Sequence, residues 1–526
     1  MIYLDYAAST PLDPAVARAM QECVSLESGL GNPSSAHPPG RAAAARIVRA
    51  REQVAALLNC EAQEIIFTSG ATESNNLAVL GIARASAERG RHIVSSRIEH
   101  RAVLDPCRQL QKEGFSVSFV APDGAGRIPP ETVRAALRAD TCLVSLMHVN
   151  NETGVVQDIA GIGAACRERG IAFHSDAAQS VGRVPLDLAT LPVDLLSVSA
   201  HKLYGPAGVG ALYVRGGTRA LIKPLSFGGG QESGLRPGTL ATHQIVAFGA
   251  ACELARTHLA RESEHLARLR ERLWERLATL GHVHLNGAGA LRAAHILNVS
   301  FEGVDGESLV ATLDGLAVST GSACSSASGD PSYVLRALGR SSRLAESSLR
   351  FSFGRPTTAE EVERAADEVI QAVRRLRGVS PAASSSGTVE LAGARPHAGC
   401  GRQPPASLSE RAWGLFLGLP GAGALDDAAG AVVRGEAGGP DAECWIRFHL
   451  LVGGDTVKDA RFQALGCPHT LATAAWLTTE LRGRHRDDAV PGTPAMWAQA
   501  LGVPVEKLGR LLTVEDALRS CIRHWA

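Results

Sequence analysis

The feature that most constrains this chain is an alternation in its texture. Over residues 1–378, short apolar runs alternate with Ala-, Arg- and Leu-rich segments of helical period. That pattern specifies strands joined by crossover helices, and therefore an α/β protein with a mostly parallel sheet. The apolar runs predict strands over 64–68, 92–96, 116–120, 141–147, 171–174 and 194–198, with a returning strand over 209–214. The C-terminal ends of parallel strands open on one edge of a sheet, so polar residues just past several of these runs can share one crevice.

With 526 residues the chain exceeds one ordinary core, and more than one domain is expected. Near Val379 the periodicity stops, and to about Ser407 the chain is rich in Pro, Ala, Ser and Gly, as a linker is. Order returns at Leu408. The predicted division is a first unit over 1–378, a linker over 379–407 and a separate small domain over 408–526. Basic and acidic residues balance at 53 each, so no basic field attracts nucleic acid or an anionic membrane. No apolar run reaches membrane-spanning length, and no basic leader precedes an apolar core. The 11 cysteines lack the spacing of a disulfide framework, which suggests a reducing compartment. The expectation is a cytoplasmic protein with small-molecule or protein partners.

The strand-end residues carry chemistry. Leu195-Leu196-Ser197-Val198-Ser199-Ala200-His201-Lys202 reads as a buried strand ending in a Ser-x-His-Lys turn. Partial desolvation makes an amine at such a place nucleophilic and suited to an imine with an aldehyde cofactor. A lysine taken alone is more commonly a surface residue. Phe67-Thr68-Ser69-Gly70-Ala71-Thr72-Glu73-Ser74-Asn75-Asn76 is a strand opening into a helix, where backbone N–H groups and the Thr72 hydroxyl can hold a phosphate; a plain N-cap explains Ser69 or Thr72 equally well. His100 follows another strand and can lie on a cofactor ring or be a half-buried histidine. His148-Val149-Asn150-Asn151 adds amides, and Asp176-Ala177-Ala178-Gln179 places a carboxylate where it can keep a pyridine nitrogen protonated.

Taken together, this order of motifs resembles the pyridoxal-phosphate enzymes of the aminotransferase type, specifically the cysteine desulfurases that supply sulfur for iron–sulfur clusters. The resemblance runs from Tyr3-Leu4-Asp5-Tyr6-Ala7-Ala8 through Gly228–Thr239 to Ser347–Ser352. It implies a fold-type I transferase, with a large mostly parallel sheet domain and a smaller α+β domain. It also implies roles: Lys202 carries the cofactor, Asp176 pairs with the ring nitrogen, Gln179 bonds the ring hydroxyl and His100 stacks on the ring. Thr72, Ser199 and His201 hold the phosphate, and Thr239 reaches the phosphate of a second subunit in a homodimer. Arg350 clamps the substrate carboxylate with Asn151 assisting. Ser233 stands where many relatives have arginine, and Pro237 where serine is common, so the dimer contact departs in detail.

Within the same resemblance, Cys324 is the sulfur acceptor. It lies in Val318-Ser319-Thr320-Gly321-Ser322-Ala323-Cys324-Ser325-Ser326-Ala327-Ser328, a run of small residues that predicts a loop able to carry a thiolate into a crevice. The implied reaction turns L-cysteine into L-alanine, with a persulfide on Cys324 that goes to an acceptor or to iron–sulfur assembly proteins. The rival readings are a selenocysteine lyase or an aminotransferase on the same fold, with the tail an interaction module.

The tail, from Cys444-Trp445-Ile446 through Gly466-Cys467-Pro468-His469 to Glu515-Asp516-Ala517-Leu518, resembles the scaffold proteins on which iron–sulfur clusters are assembled, and implies a small α+β domain. Strands are expected over 444–450 and 457–465, and a helix over 470–481. Such scaffolds use three cysteine ligands. Only Cys467 falls on one; Ala442 stands at the first position with Cys444 two residues later, and Arg510 at the third. The candidate metal set is therefore Cys467 and Cys444, with Cys324 as a further thiolate and His469 or His449 as stand-ins, for a transient cluster or a site shared between two subunits instead of an ordinary one. Three roles are open: a scaffold with unusual ligands, an acceptor taking sulfur onto Cys467, or a docking module.

Overall fold

The computed structural model describes residues 1–25, 29, 31–320, 331–380, 404–439 and 444–525. Its largest element is a seven-stranded sheet in the order Ile65–Thr68, Gly210–Val214, Leu195–Ser199, Ala172–Asp176, Thr141–Ser145, His92–Ser96, Ser116–Val120. Gly210–Val214 runs antiparallel to both neighbours; the other strands are parallel. Its central strands, such as Leu195-Leu196-Ser197-Val198-Ser199, are buried throughout, as a sheet covered on both faces requires. All seven expected strands form, two of them with the expected ends and five with an end shifted by one or two residues. Two ends shift by two residues: the strand expected to 147 stops at Ser145, and Asp176 closes its strand in register with Ser197 instead of following it.

A smaller antiparallel sheet contains Ser319–Thr320, Ser348–Ser352, Ile296–Phe301 and Val283–Leu285. One 37-residue helix, Thr242–Ala278, joins the two units, at about 1.5 Å per residue some 55 Å of rod. Its first half buries Ile245, Phe248 and Cys252 in the large-domain core, and its second half buries Leu266, Leu269 and Leu273 in the small-domain core. It crosses the helix Pro38–Leu58 at Gly249, where any Cβ would stand 2.7 Å from the Ala50 Cα.

The tail has its own antiparallel sheet, Ala431–Gly438, Trp445–Gly453 and Thr456–Leu465, with helices Glu410–Gly418, Pro468–Leu481, Pro494–Leu501 and Leu508–His524. The first strand is not evident in the sequence, because Ala-Val-Val-Arg-Gly-Glu-Ala-Gly contains few strand-forming residues. Tertiary contact creates it. At Gly435 a Cβ would collide with the Cys521 backbone nitrogen at 2.1 Å, so glycine is what lets the last helix lie on this strand. The helix expected from Thr470 starts two residues earlier, since Pro468 fits a first helical position and Cys467 is the N-cap. The tail meets the small domain through the Ser308 hydroxyl, which donates to the Gly466 carbonyl at 2.7 Å, and through Arg375, which donates to the carbonyls of Phe416 and Leu417. The predicted linker lies mostly outside the described residues.

Candidate active site

The parallel strands deliver their C-terminal ends to one edge, and most of the expected residues gather there. Lys202 sits in the one-turn segment Ala200–Lys202 that follows Leu195–Ser199. Its Nζ donates to the Ala7 carbonyl at 2.8 Å, and the Gln179 amide donates to the same oxygen at 2.8 Å. The N-terminal segment therefore threads across the strand ends. It is tied down by the Thr10 hydroxyl, which donates to the His201 carbonyl at 2.8 Å, and by the Ala7 N–H, which donates to the Ser352 hydroxyl at 2.8 Å. His201 Nδ1 lies 3.3 Å from the Ser9 hydroxyl; burial and the neighbouring Lys202 charge both push this imidazole down, favouring its neutral form.

Asp176 is buried, with one oxygen accepting the Ala178 N–H at 2.9 Å and the other the Asn75 amide at 2.7 Å. Three residues on, Gln179 has its other amide atom 3.4 Å from His295 Nε2, a fully buried histidine that burial and nearby cations keep well below the ordinary range. Ser199 is buried at the end of its strand, and Thr72 is exposed at the start of the helix Ala71–Ala85. Gly70 has φ +149°, and a Cβ there would first meet the Ser199 hydroxyl at 3.9 Å, so the turn is open on that side. Thr72 and His100 line one surface recess with Asn76 and Arg101. His100 also caps the helix Arg101–Lys112, its Nδ1 accepting the Ala102 N–H at 3.1 Å. The neighbouring Glu99 is fully buried, accepting from the Ser96 hydroxyl and the Met147 N–H; burial, with the Asp176 charge adding, pushes its carboxyl up to about 8.

Arg350, on the strand Ser348–Ser352, is buried and donates to the Asn151 carbonyl at 2.9 Å and to Asp5 at 2.8 Å. The Asn151 Oδ1 is buried with no hydrogen-bond partner. Thr239 stands apart on an exposed stretch after the turn Gln231–Gly234. Cys324 lies outside the described residues.

In the tail, Cys467 is fully buried, 3.4 Å from the Thr470 hydroxyl. Burial alone would raise its thiol, but the His469 side chain and the Arg510 charge outweigh it and hold the thiol below the ordinary range. The side chain at the third ligand position is thus a cation beside the sulfur. Cys444 is buried next to this turn, 3.2 Å from where a Gly466 Cβ would stand. His449 is engaged by Gln463 Oε1 at 3.2 Å and Arg434 at 3.3 Å, which removes it as a stand-in ligand. Among the described residues, no three His, Cys, Asp or Glu side chains come together as a metal site.

Sequence reasoning missed Asn75, Asp5, His295 and the Ala7 carbonyl. Asn75 and Asp5 lie inside motifs that were read, but their partners are 101 and 345 residues away.

Residues 2–365 match the family model for aminotransferase class-V, and residues 420–526 that for the NifU-like N terminal domain. The chain is 55% identical over 381 residues to the cysteine desulfurase IscS of Azotobacter vinelandii, covering 72% of this chain and 94% of that protein. It is 54% identical over 381 residues to the cysteine desulfurase IscS of Pseudomonas aeruginosa, with the same coverage. Among solved structures, a NifS-like protein superposes with a TM-score of 0.66 at 35% identity, covering 71% of this chain and 99% of that one. DndA from Streptomyces lividans gives 0.57 at 42% identity, covering 66% and 99%. A mostly parallel sheet with its polar strand ends on one edge, and a family model spanning residues 2–365, agree: the chain belongs to the class-V aminotransferase family.

Proposed function

We propose that the chain is a pyridoxal-phosphate-dependent cysteine desulfurase that converts L-cysteine to L-alanine and passes the sulfur on for iron–sulfur cluster assembly. The observation that carries this reading is the convergence of the Lys202 amine and the Gln179 amide on one carbonyl, beside an Asp176 carboxylate held by Asn75. The relatives matched along 94% of their length are cysteine desulfurases, which favours this reading over the aminotransferase and selenocysteine lyase alternatives.

The donor set suits pyridoxal phosphate. Lys202 offers an amine to the aldehyde, Asp176 an anion to the ring nitrogen, Gln179 an amide to the ring hydroxyl and His100 an imidazole to the ring face. Thr72, Ser199 and His201, with the N-terminus of Ala71–Ala85 and the open side of Gly70, suit the phosphate. Asn151 has a buried oxygen without a partner. When bound, the cofactor supplies an electron sink for the substrate α-carbon.

The chain's own residues do the rest. Arg350 orients the substrate carboxylate, and Lys202, released from the Ala7 carbonyl, moves the α-proton. The bond from the Ala102 N–H to His100 Nδ1 leaves the proton of a neutral ring on Nε2, from which it can be donated. The Cys324 thiolate attacks the substrate sulfur. The S–S bond forms as the C–S bond breaks, its electron pair stays with the carbon side, and a proton delivered there completes alanine.

For the tail, Cys467, a buried thiol that the His469 side chain and the Arg510 charge hold below its ordinary range, suits a sulfur acceptor, which needs only one cysteine. Cys467 would take sulfur from Cys324. The enzyme would work as a cytoplasmic homodimer: Phe227, 87% exposed beside the glycine run 228–230, and the exposed Thr239 form a surface that a second subunit would cover. No helix among the described residues is long and apolar enough to cross a membrane.

The test is intact-mass analysis with peptide mapping after brief anaerobic exposure to cysteine. Sulfur on Cys324 and then on Cys467 is expected, and Cys324→Ala should lose alanine formation while keeping the cofactor. Sulfur on neither cysteine, with the cofactor bound, would overturn the desulfurase reading; sulfur on Cys324 alone would overturn the acceptor role.

A further inference from the structure

The Asp5 side chain has no part in the chemistry above, yet the fold brings it into contact with the substrate arginine. Leu4 donates its N–H to the Ala317 carbonyl at 2.9 Å and accepts the Ser352 N–H at 2.7 Å, and Asp5 pairs with Ser352 in a parallel bridge. This register puts the Asp5 carboxylate 2.8 Å from Arg350 Nη2. Asp5 Oδ1 also accepts the Ser319 hydroxyl at 2.8 Å, and Arg350 Nη2 reaches the Ser319 oxygen at 3.1 Å. The three groups close a ring.

Arg350 is 5% exposed, and a guanidinium that dry needs an anion. Asp5, 20% exposed, is the anion it has. The remaining contact of Arg350 is to the neutral Asn151 carbonyl, while its Nε is buried without a partner. A substrate carboxylate arriving at this arginine therefore finds its charge already countered, and must sit in the field of a second carboxylate. Like charges brought together in a partly desolvated site oppose each other strongly.

We infer that Asp5 is a resident counter-ion of Arg350 that sets how tightly the site holds carboxylate-bearing ligands, weakening the hold on amino-acid substrate and on departing alanine alike. Asp5 is a positioning residue, acting on the ligand through Arg350, and the inference rests on the assignment of Arg350 to the substrate carboxylate. The two can fail separately.

The test is titration of the cofactor-loaded enzyme with L-alanine and with ethylamine, which lacks the carboxylate, followed by the absorbance of the bound cofactor. Asp5→Asn keeps an oxygen for Ser319 and Arg350 but removes the charge. Alanine should then bind about tenfold more tightly, a change of about 1.4 kcal/mol, while ethylamine binding stays as it was, and Asp5→Glu should return alanine towards the wild-type affinity. Should Asp5→Asn not fold, Asp5→Ser makes the same comparison. Alanine binding that is unchanged or weakened by loss of the charge, or ethylamine tightened equally, overturns the inference. Arg350→Gln examines the underlying assignment: it should abolish the preference for alanine over ethylamine, and a preference that survives would overturn the role of Arg350 itself.

Discussion

Asn75 Nδ2 donates to Asp176 Oδ2 across 2.7 Å inside the core, joining the second turn of one helix to the last residue of a strand 101 positions away. Both residues are buried, so no water replaces the bond if it is lost. A hydrogen bond to a charged group contributes about 1.5–3 kcal/mol. Asn75→Ala should therefore weaken cofactor binding by about 10- to 100-fold, read as loss of bound-cofactor absorbance on dilution. Unaltered retention would show that Asp176 does not depend on Asn75.

The buried Glu99 gives the fold a pH dependence whose sign can be worked out. Burial, with the Asp176 charge adding, pushes its carboxyl up to about 8 from 4.5. The folded form keeps a proton that the unfolded chain has already released. Its contribution is therefore full below about pH 4.5 and is lost as pH rises through about 8. Glu99→Gln removes this dependence. The difference in Tm, variant minus wild type, should grow between about pH 5 and 8 and then level off; a constant difference across that range would refute the assignment.

Glu232 is buried in the segment that leads to Thr239, and holds it against the large domain. Its oxygens accept both Arg51 Nη atoms, at 2.6 and 2.9 Å, and the Phe67 N–H at 2.7 Å. Arg51→Met would leave a carboxylate that is 2% exposed without its cation. Removing one partner of a buried pair costs about 3–5 kcal/mol, so a large drop in the denaturant midpoint is expected. The double variant Arg51→Met with Glu232→Gln should recover much of it, and equal losses in both would rule out the pair as the cause.

Arg375 ties the tail to the first unit by donating to the Phe416 and Leu417 carbonyls at the end of the helix Glu410–Gly418. These carbonyls have no partner within their own helix, so an outside donor is worth about 1 kcal/mol each. Arg375→Ala should increase proteolytic cleavage of the tail while leaving bound-cofactor absorbance unchanged. Cleavage at the wild-type rate would mean that other contacts hold the tail in place.

The strands and the chemistry at their ends could be read locally. The apolar runs around Leu195-Leu196 and Ile93-Val94, and the turns after them, are specified by residues within a few positions, so the α/β class and Lys202, Asp176 and Gln179 followed from pattern and order. Even the N-cap at Cys467 has a local cause in Pro468. Pairings over long separations were decided only by the tertiary structure, because they depend on which strands become neighbours: Asp5 meets Arg350 only once the N-terminal segment crosses the strand Ser348–Ser352, and Gly435 becomes a strand residue only because the helix Leu508–His524 needs its missing Cβ. The sequence by itself determined the elements, the reactive groups and their order. The partners that tune those groups, Asn75 for Asp176, Asp5 for Arg350 and Arg510 for Cys467, were set by packing, since charge and hydrogen bonding act through space and not along the chain.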